Sequence, residues 1–126
     1  MRRRAGERGS ISIVLAAGIL VVLVLTMGVA DLGRVLVGRA RARTGADAAA
    51  LAVAQELAYP SGLEPAALAA DYAQRNGAEL VSCTCSAGAF EVTVEVRAPI
   101  GDLTLVPGSF AVTQRARAVV DLPSGL

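Results

Sequence analysis

The chain has 126 residues, of which 54 % are hydrophobic and 18 % charged, a composition that excludes an intrinsically disordered protein. The length allows one small domain beside a membrane segment. The net charge of +1 and an aromatic content of 3 % give neither an overall attraction for nucleic acid nor stacking platforms for its bases. The sequence contains no histidine and no lysine, which excludes histidine-based catalysis, lysine Schiff bases and lysine-dependent phosphate loops.

The first element is an uncharged run at residues 11–30. About 20 residues in a helix cover the roughly 30 Å of a bilayer's hydrocarbon core. Twelve of them are Ile, Val or Leu, which together favour insertion by about 5 kcal/mol. A core this small cannot cover a helix that is apolar on every side. The sequence therefore predicts a single transmembrane helix at 11–30.

The charges that flank this run bear on its orientation. The basic N-terminal tail, residues 1–10, carries Arg2, Arg3, Arg4 and Arg8. The other flank carries as many arginines, Arg34, Arg39, Arg41 and Arg43, diluted by Asp31 and Asp47. Because the short tail need not be translocated, we expect a cytoplasmic N-terminus and an extracytoplasmic C-terminal region. The inverted orientation would instead put the C-terminal region in the cytoplasm.

A cleaved signal peptide is the alternative interpretation of the same segment. Small residues at 28–30, just before Asp31, suit a signal peptidase. The apolar run is longer than the usual 7–15 residues of such a signal, which favours an anchor. Under the alternative, residues 11–30 serve only as a signal or tether for a secreted or membrane-tethered small binding domain.

The helical pattern continues beyond the membrane segment, through residues 31–59. Apolar residues recur at spacings of three and four, so that residues 10–58 are predicted as one helix about 70–75 Å long, ended by Pro60 and Gly62. Two sets of small residues on it are candidate packing surfaces. Inside the membrane they are Ser12 and Ala16, and outside it they are Ala46, Ala49, Ala50, Val53 and Ala54. The neighbour of the outer face is this chain's own sheet, another subunit's helix, or each of them along a different part of the helix.

Residues 60–126 are predicted to form a small α+β head. A short helix begins at Pro65 and closes at Asn76-Gly77. A strand at 80–85, an alternating strand from Phe90 to a stop at Pro99, and a strand at 110–122 follow. We expect a roughly three-stranded antiparallel sheet with a helix on it, and a loop at 100–108.

Few residues offer chemistry. Cys83 and Cys85 are the only cysteines, and two thiols do not complete a structural zinc site. We expect small buried side chains or free thiols first, a disulfide within the pair or between subunits second, and metal binding or redox catalysis last. Asp31 is expected to be a solvated or helix-neighbour charge at the membrane edge. Without a nucleophile–base set or a ligand cluster, the sequence predicts no enzyme, no cofactor, no metal and no small-molecule substrate.

The layout resembles the TadE/TadG-like proteins of Tad (Flp-type) pilus and secretion loci, and is similar to small actinobacterial members. The resemblance spans nearly the whole chain and is most specific at residues 39–54, with the run ADAAALA at 46–52. It implies a pseudopilin-like protein with an inner-membrane anchor, a long helix and an extracytoplasmic head, whose partners are like subunits and the assembly platform. Prepilin processing would cut between Gly9 and Ser10, but Val14 stands where pilin-like members carry glutamate.

Overall fold

The computed structural model describes residues 7–120. Two helices and three strands follow one another along the chain: α1 (Glu7–Ala58), α2 (Pro65–Arg75), β1 (Glu79–Thr84), β2 (Glu91–Asp102) and β3 (Ser109–Val119). The strands form one antiparallel sheet in the order β1-β2-β3. The predicted α+β fold, with a long N-terminal helix, a short second helix and three strands, is confirmed.

The long helix α1 is continuous from Glu7 to Ala58 and is about 78 Å long at 1.5 Å per residue. Its glycines at 28, 33, 38 and 45, which the sequence offers as points for a bend or break, all lie within the helix. Gly38 and Gly45 have a packing role instead. A Cβ at Gly38 would lie 2.9 Å from Ile100 Cγ1, and one at Gly45 would lie 3.0 Å from Ala78 Cβ. Glycine therefore allows the rest of the chain to approach the helix closely.

The short helix α2 forms as its end signals predict. The Glu64 carboxylate accepts a hydrogen bond of 2.6 Å from the Ala67 N–H at the N-terminus, and Pro65 occupies the first turn. Gly77 closes the helix with φ +73°, a conformation that glycine adopts without strain. Ala69 and Ala73 are buried on the inner face of α2, which packs against α1 and β1.

The hydrophobic core lies between α1, α2 and one face of the sheet. Strand β2 supplies its bulk, because Val92, Val94, Val96 and Ala98 are all fully buried. The opposite face of the sheet carries cross-strand ion pairs. Arg115 Nε donates to Glu95 at 3.1 Å, and Arg117 pairs with Glu91. The clean alternation along β2 reflects a sheet with one buried and one solvated face.

Strand β2 runs further than the sequence indicates. Pro99 was expected to end it, but pairing with β3 continues to Asp102, with a register shift between Pro99 and Gly101. Strand β1 pairs no further than Arg97, so one edge of β2 is unpaired beyond that residue. A proline without an N–H is tolerated at such an edge, and the bulge absorbs the extra residue.

Candidate membrane anchor and assembly surface

The apolar segment of α1 is exposed over almost its whole length in the described structure. The helix is long enough and apolar enough to cross a membrane, and none of its most apolar stretch is buried inside the protein. Large side chains such as Ile13 and Leu25 are 71 % and 63 % exposed. Ser12 and Ala16 lie on this exposed segment. The chain is therefore a single-pass membrane protein, since exposing such an apolar surface to water is unfavourable and exposing it to lipid is not.

The outer small-residue face of α1 is covered by the chain's own head. Ala46, Ala49, Ala50, Val53 and Ala54 are at most 7 % exposed and belong to one core cluster with α2 and the sheet. Of the two neighbours left open by the sequence, the structure has the intrachain one. A second helix could reach this buried face at residues 46–54 only by displacing the head.

A polar clasp joins α1 to the loop between β2 and β3. The Asp31 carboxylate accepts hydrogen bonds from the N–H groups of Thr104, at 2.9 Å, and Leu105, also at 2.9 Å. Arg34 Nη1 donates to Asp31 Oδ1 at 3.1 Å and to Thr104 Oγ1 at 3.0 Å. It also donates to the Asp102 carbonyl at 3.3 Å. The clasp thus ties the C-terminal end of the uncharged run to a loop about 70 residues later.

Of the two expectations for Asp31, the solvated charge is wrong, whereas its ion pair with Arg34 three residues along α1 fits a helix-neighbour charge. Asp31 is 8 % exposed. The two loop N–H groups, with the Thr104 hydroxyl and the Arg34 guanidinium, hold the pKa of the Asp31 carboxyl below its ordinary value against the opposing effect of burial. The group consequently stays ionised and keeps its role as acceptor at neutral pH.

A second buried carboxylate organises the turn after α1. Glu56 is 9 % exposed and accepts from the Ser61 hydroxyl at 2.6 Å and from the Ser61 N–H at 2.7 Å. The N–H groups of Gly62 and Leu63 also donate to it. The Ser61 hydroxyl is the main cause of a lowered pKa of Glu56, with the backbone donors adding to it. Glu56 thereby fixes the direction in which the chain leaves the helix towards α2.

The remaining arginines and the processing positions lie along α1. Arg39, Arg41 and Arg43 are exposed. An ion pair of 4.0 Å joins Arg43 to Asp47 on the same exposed surface, which stabilises little. Gly9 and Ser10 lie within the helix and are exposed. Of the arginines used for the orientation, Arg2, Arg3 and Arg4 lie outside the described residues, and the side chain of Arg8 is not among those described.

Cys83 and Cys85 are bonded to each other, with Cα atoms 5.4 Å apart. The extended spacing expected within one strand, about 7 Å between Cα atoms, does not apply, because β1 ends at Thr84. Among residues 7–120 the structure thus has the intrachain pair in place of free thiols. Both residues pack at the margin of the core, so the bond closes the end of β1.

No group of three or more Asp, Glu or Cys residues in the described part of the chain could hold a metal ion. The two buried carboxylates are taken up by hydrogen bonds from the loops that they hold. The described part of the chain thus combines an exposed apolar helix, a head packed along the continuation of that helix, and the clasp at their junction.

The comparison with protein families bears on that helix. A family model described as "Putative Flp pilus-assembly TadE/G-like" matches residues 9–56. Over that segment the chain is similar to the TadE/G-like family. The match covers the apolar run, the clasp residues on α1 and the face that carries the head, and it confirms the resemblance seen in the sequence over these residues. No curated protein and no solved structure matches the chain. The match covers less than half of the chain and supports a role related to Tad pili.

Sequence reasoning missed the functions of Asp31 and Glu56. Each carried a signal that could have found it. Asp31 is the first charge after the uncharged run, at a depth where an unpaired carboxylate is costly. Glu56 follows the alanine-rich buried face and precedes Ser61-Gly62, a turn that leaves backbone N–H groups in need of acceptors. The partners of Glu56 follow it within seven residues, whereas no local pattern identifies the distant loop that binds Asp31.

Proposed function

We propose that this protein is a pseudopilin-like subunit of a Tad (Flp)-type pilus or secretion apparatus. Residues 11–30 anchor it in the cell membrane with the N-terminus in the cytoplasm, and the head is displayed on the extracytoplasmic side. It acts by assembly, through lateral packing of its apolar helix with other Tad subunits or with copies of itself. It catalyses no reaction, and it needs no nucleic acid, small-molecule substrate or cofactor.

One observation carries this proposal: the segment that matches the Tad family is also the one that joins an uncovered apolar rod to the spine of the head. Because the head buries the face at 46–54, the membrane segment is the surface of the helix through which we propose contact with other subunits. Ser12 and Ala16, a small-xxx-small pair, are the contact that we propose there, since small residues let two helix backbones approach closely.

The same segment departs from the pilin-like pattern that the resemblance implies. Val14 lies where such members have a glutamate after a cut between Gly9 and Ser10. We therefore propose that the register between neighbouring helices comes from apolar packing alone, and that the chain retains its N-terminal tail. The arginines of that tail would then stay on the cytoplasmic side.

Photo-crosslinking in the cell that makes the protein tests this function. A photoreactive residue at Ala16 or Leu20 should form adducts with another Tad subunit or with a second copy. The same residue at Ala87, in the exposed β1–β2 turn, is the control and should not give those adducts. Only monomer at both membrane positions, together with unchanged piliation and secretion after deletion of the gene, would refute the proposal.

A secreted or membrane-tethered binding domain is the second candidate, and one observation favours it. All residues of the hydrophobic core lie at Ala42 or later, and the clasp begins at Asp31. Residues 11–30 add nothing to the core, so a head released by a cut before Asp31 would retain its core and the clasp. The N-terminal residue of the mature chain separates the two candidates.

A further inference from the structure

The tip of the β2–β3 hairpin, residues 103–108, is an apolar loop that lies beside the end of the membrane segment. Its Leu105 and Val106 are 47 % and 50 % exposed. A Cβ at Gly28 would lie 3.7 Å from Leu105 Cδ1. The loop therefore reaches back along α1 to a residue that lies within the uncharged run.

We propose that this hairpin tip rests in the surface of the lipid bilayer and gives the head a second attachment to the membrane. The proposal rests on the membrane anchoring by residues 11–30. Its ligand is the lipid at the boundary between headgroups and acyl chains. Because the head is packed on α1, the anchor and the tip together limit tilting of the whole α1–head unit and its rotation about the helix axis in the membrane, so a constant face is presented to neighbouring subunits.

The depth of the tip follows from the helix geometry. Residues 11–30 span about 30 Å at 1.5 Å per residue, which matches the hydrocarbon thickness. Gly28 precedes the end of that run by two residues, so Leu105 lies level with a point about 3 Å inside the apolar segment. A leucine at that depth meets acyl chains, and the surface of the tip is continuous with that of the anchor.

The polar groups at the tip are arranged for such a place. Backbone N–H groups need acceptors where water is scarce, and the Asp31 carboxylate accepts from those of Thr104 and Leu105. Arg34 neutralises that carboxylate. Pro107 has no N–H, and residues 103–108 include no charged side chain. Exposed Asp102, at the end of β2, marks the water side of the loop.

Tryptophan fluorescence tests the proposal directly, because the chain contains no tryptophan. The full chain is reconstituted at one copy per nanodisc of phosphatidylcholine, either unlabelled or brominated near the carbonyl end of its acyl chains. Leu105→Trp and Val106→Trp probe the tip. Val106→Trp keeps the Leu105 contact with Gly28. Leu25→Trp is the positive control in the membrane segment, and Ala87→Trp, in the turn at the far end of the sheet, is the negative control.

The expected result is blue-shifted emission of both tip tryptophans and quenching by brominated lipid comparable with that of Leu25→Trp, while Ala87→Trp is not quenched. If Leu25→Trp is quenched and the tip tryptophans are not, the tip proposal is overturned and the anchor stands. Tip tryptophans shielded from aqueous acrylamide but not quenched by brominated lipid would mean a protein cover and would also overturn it. If Leu25→Trp is not quenched, the anchor fails, and the inference fails with it.

Discussion

Replacing Ala49 with leucine tests whether the head packs against the small-residue face of α1. Ala49 is fully buried in the cluster that joins α1 to the sheet. Leucine adds three carbon atoms where no space exists, and overpacking of this kind costs about 1–3 kcal/mol. For a head of this size that corresponds to a fall in Tm of roughly 4–8 °C per kcal/mol.

The matched control is Ala40→Leu. Ala40 lies on the exposed side of the same helix, so the same change there should alter stability by no more than about 0.5 kcal/mol. Helix propensity is nearly the same for both variants, because alanine and leucine are both strong helix formers.

Hydrogen–deuterium exchange of the full chain in detergent micelles measures the effect. We expect the amides of β2 to exchange faster in Ala49→Leu and to stay protected in Ala40→Leu. Unchanged protection of β2 in Ala49→Leu, combined with loss of self-association, would refute the intrachain packing and would return the face to a subunit interface.

Three further predictions concern Glu56, the buried face of β2 and the clasp at Asp31. Glu56→Gln should make the stability of the head less sensitive to acid. The pKa of Glu56 is lowered in the folded state, so the ionised carboxylate stabilises the head at neutral pH, and this contribution is lost as the pH falls below the ordinary carboxyl range. Equal acid sensitivity of the variant and the parent chain in pH-dependent melts would contradict it. Val94→Ala should lower the free energy of unfolding by about 1.5–3 kcal/mol, because it removes two buried methyl groups. Val119→Ala, at a side chain that is 73 % exposed, should lower it by less than about 0.5 kcal/mol. Equal denaturation midpoints for the two variants would count against the assigned core. Asp31→Asn should speed amide exchange in the β2–β3 loop, because a neutral amide is a weaker acceptor for its two N–H groups, and unchanged exchange there would show that the clasp does not hold the loop.

Most of the fold could be predicted from the sequence, because the patterns that identify its helices and strands are local. Alternation of Val92, Val94 and Val96 with polar residues identified β2 and its buried face, and the Pro65 and Gly77 signals bounded α2. The end of β2 was wrong for a reason that local signals do not contain. Pro99 is a strand breaker only where its N–H would be needed, and that depends on how far β1 extends beside it.

The clasp was harder to predict from the sequence, because its contacts join residues that are distant along the chain. Asp31 binds a loop more than 70 residues later, and no pattern around Asp31 names that partner. The alanine face could be identified as a close-packing surface from its composition alone, but the identity of its neighbour is a tertiary fact. Cys83 and Cys85 illustrate the same limit, since their separation depends on β1 ending between them.

The intact mass of the mature chain, taken from washed membranes of the cell that makes it, tests most directly whether the apolar rod is a permanent anchor. The account predicts a protein that resists alkaline carbonate extraction and whose mass still includes residues 11–30. A chain that begins at Asp31 and is recovered in the soluble fraction would contradict it.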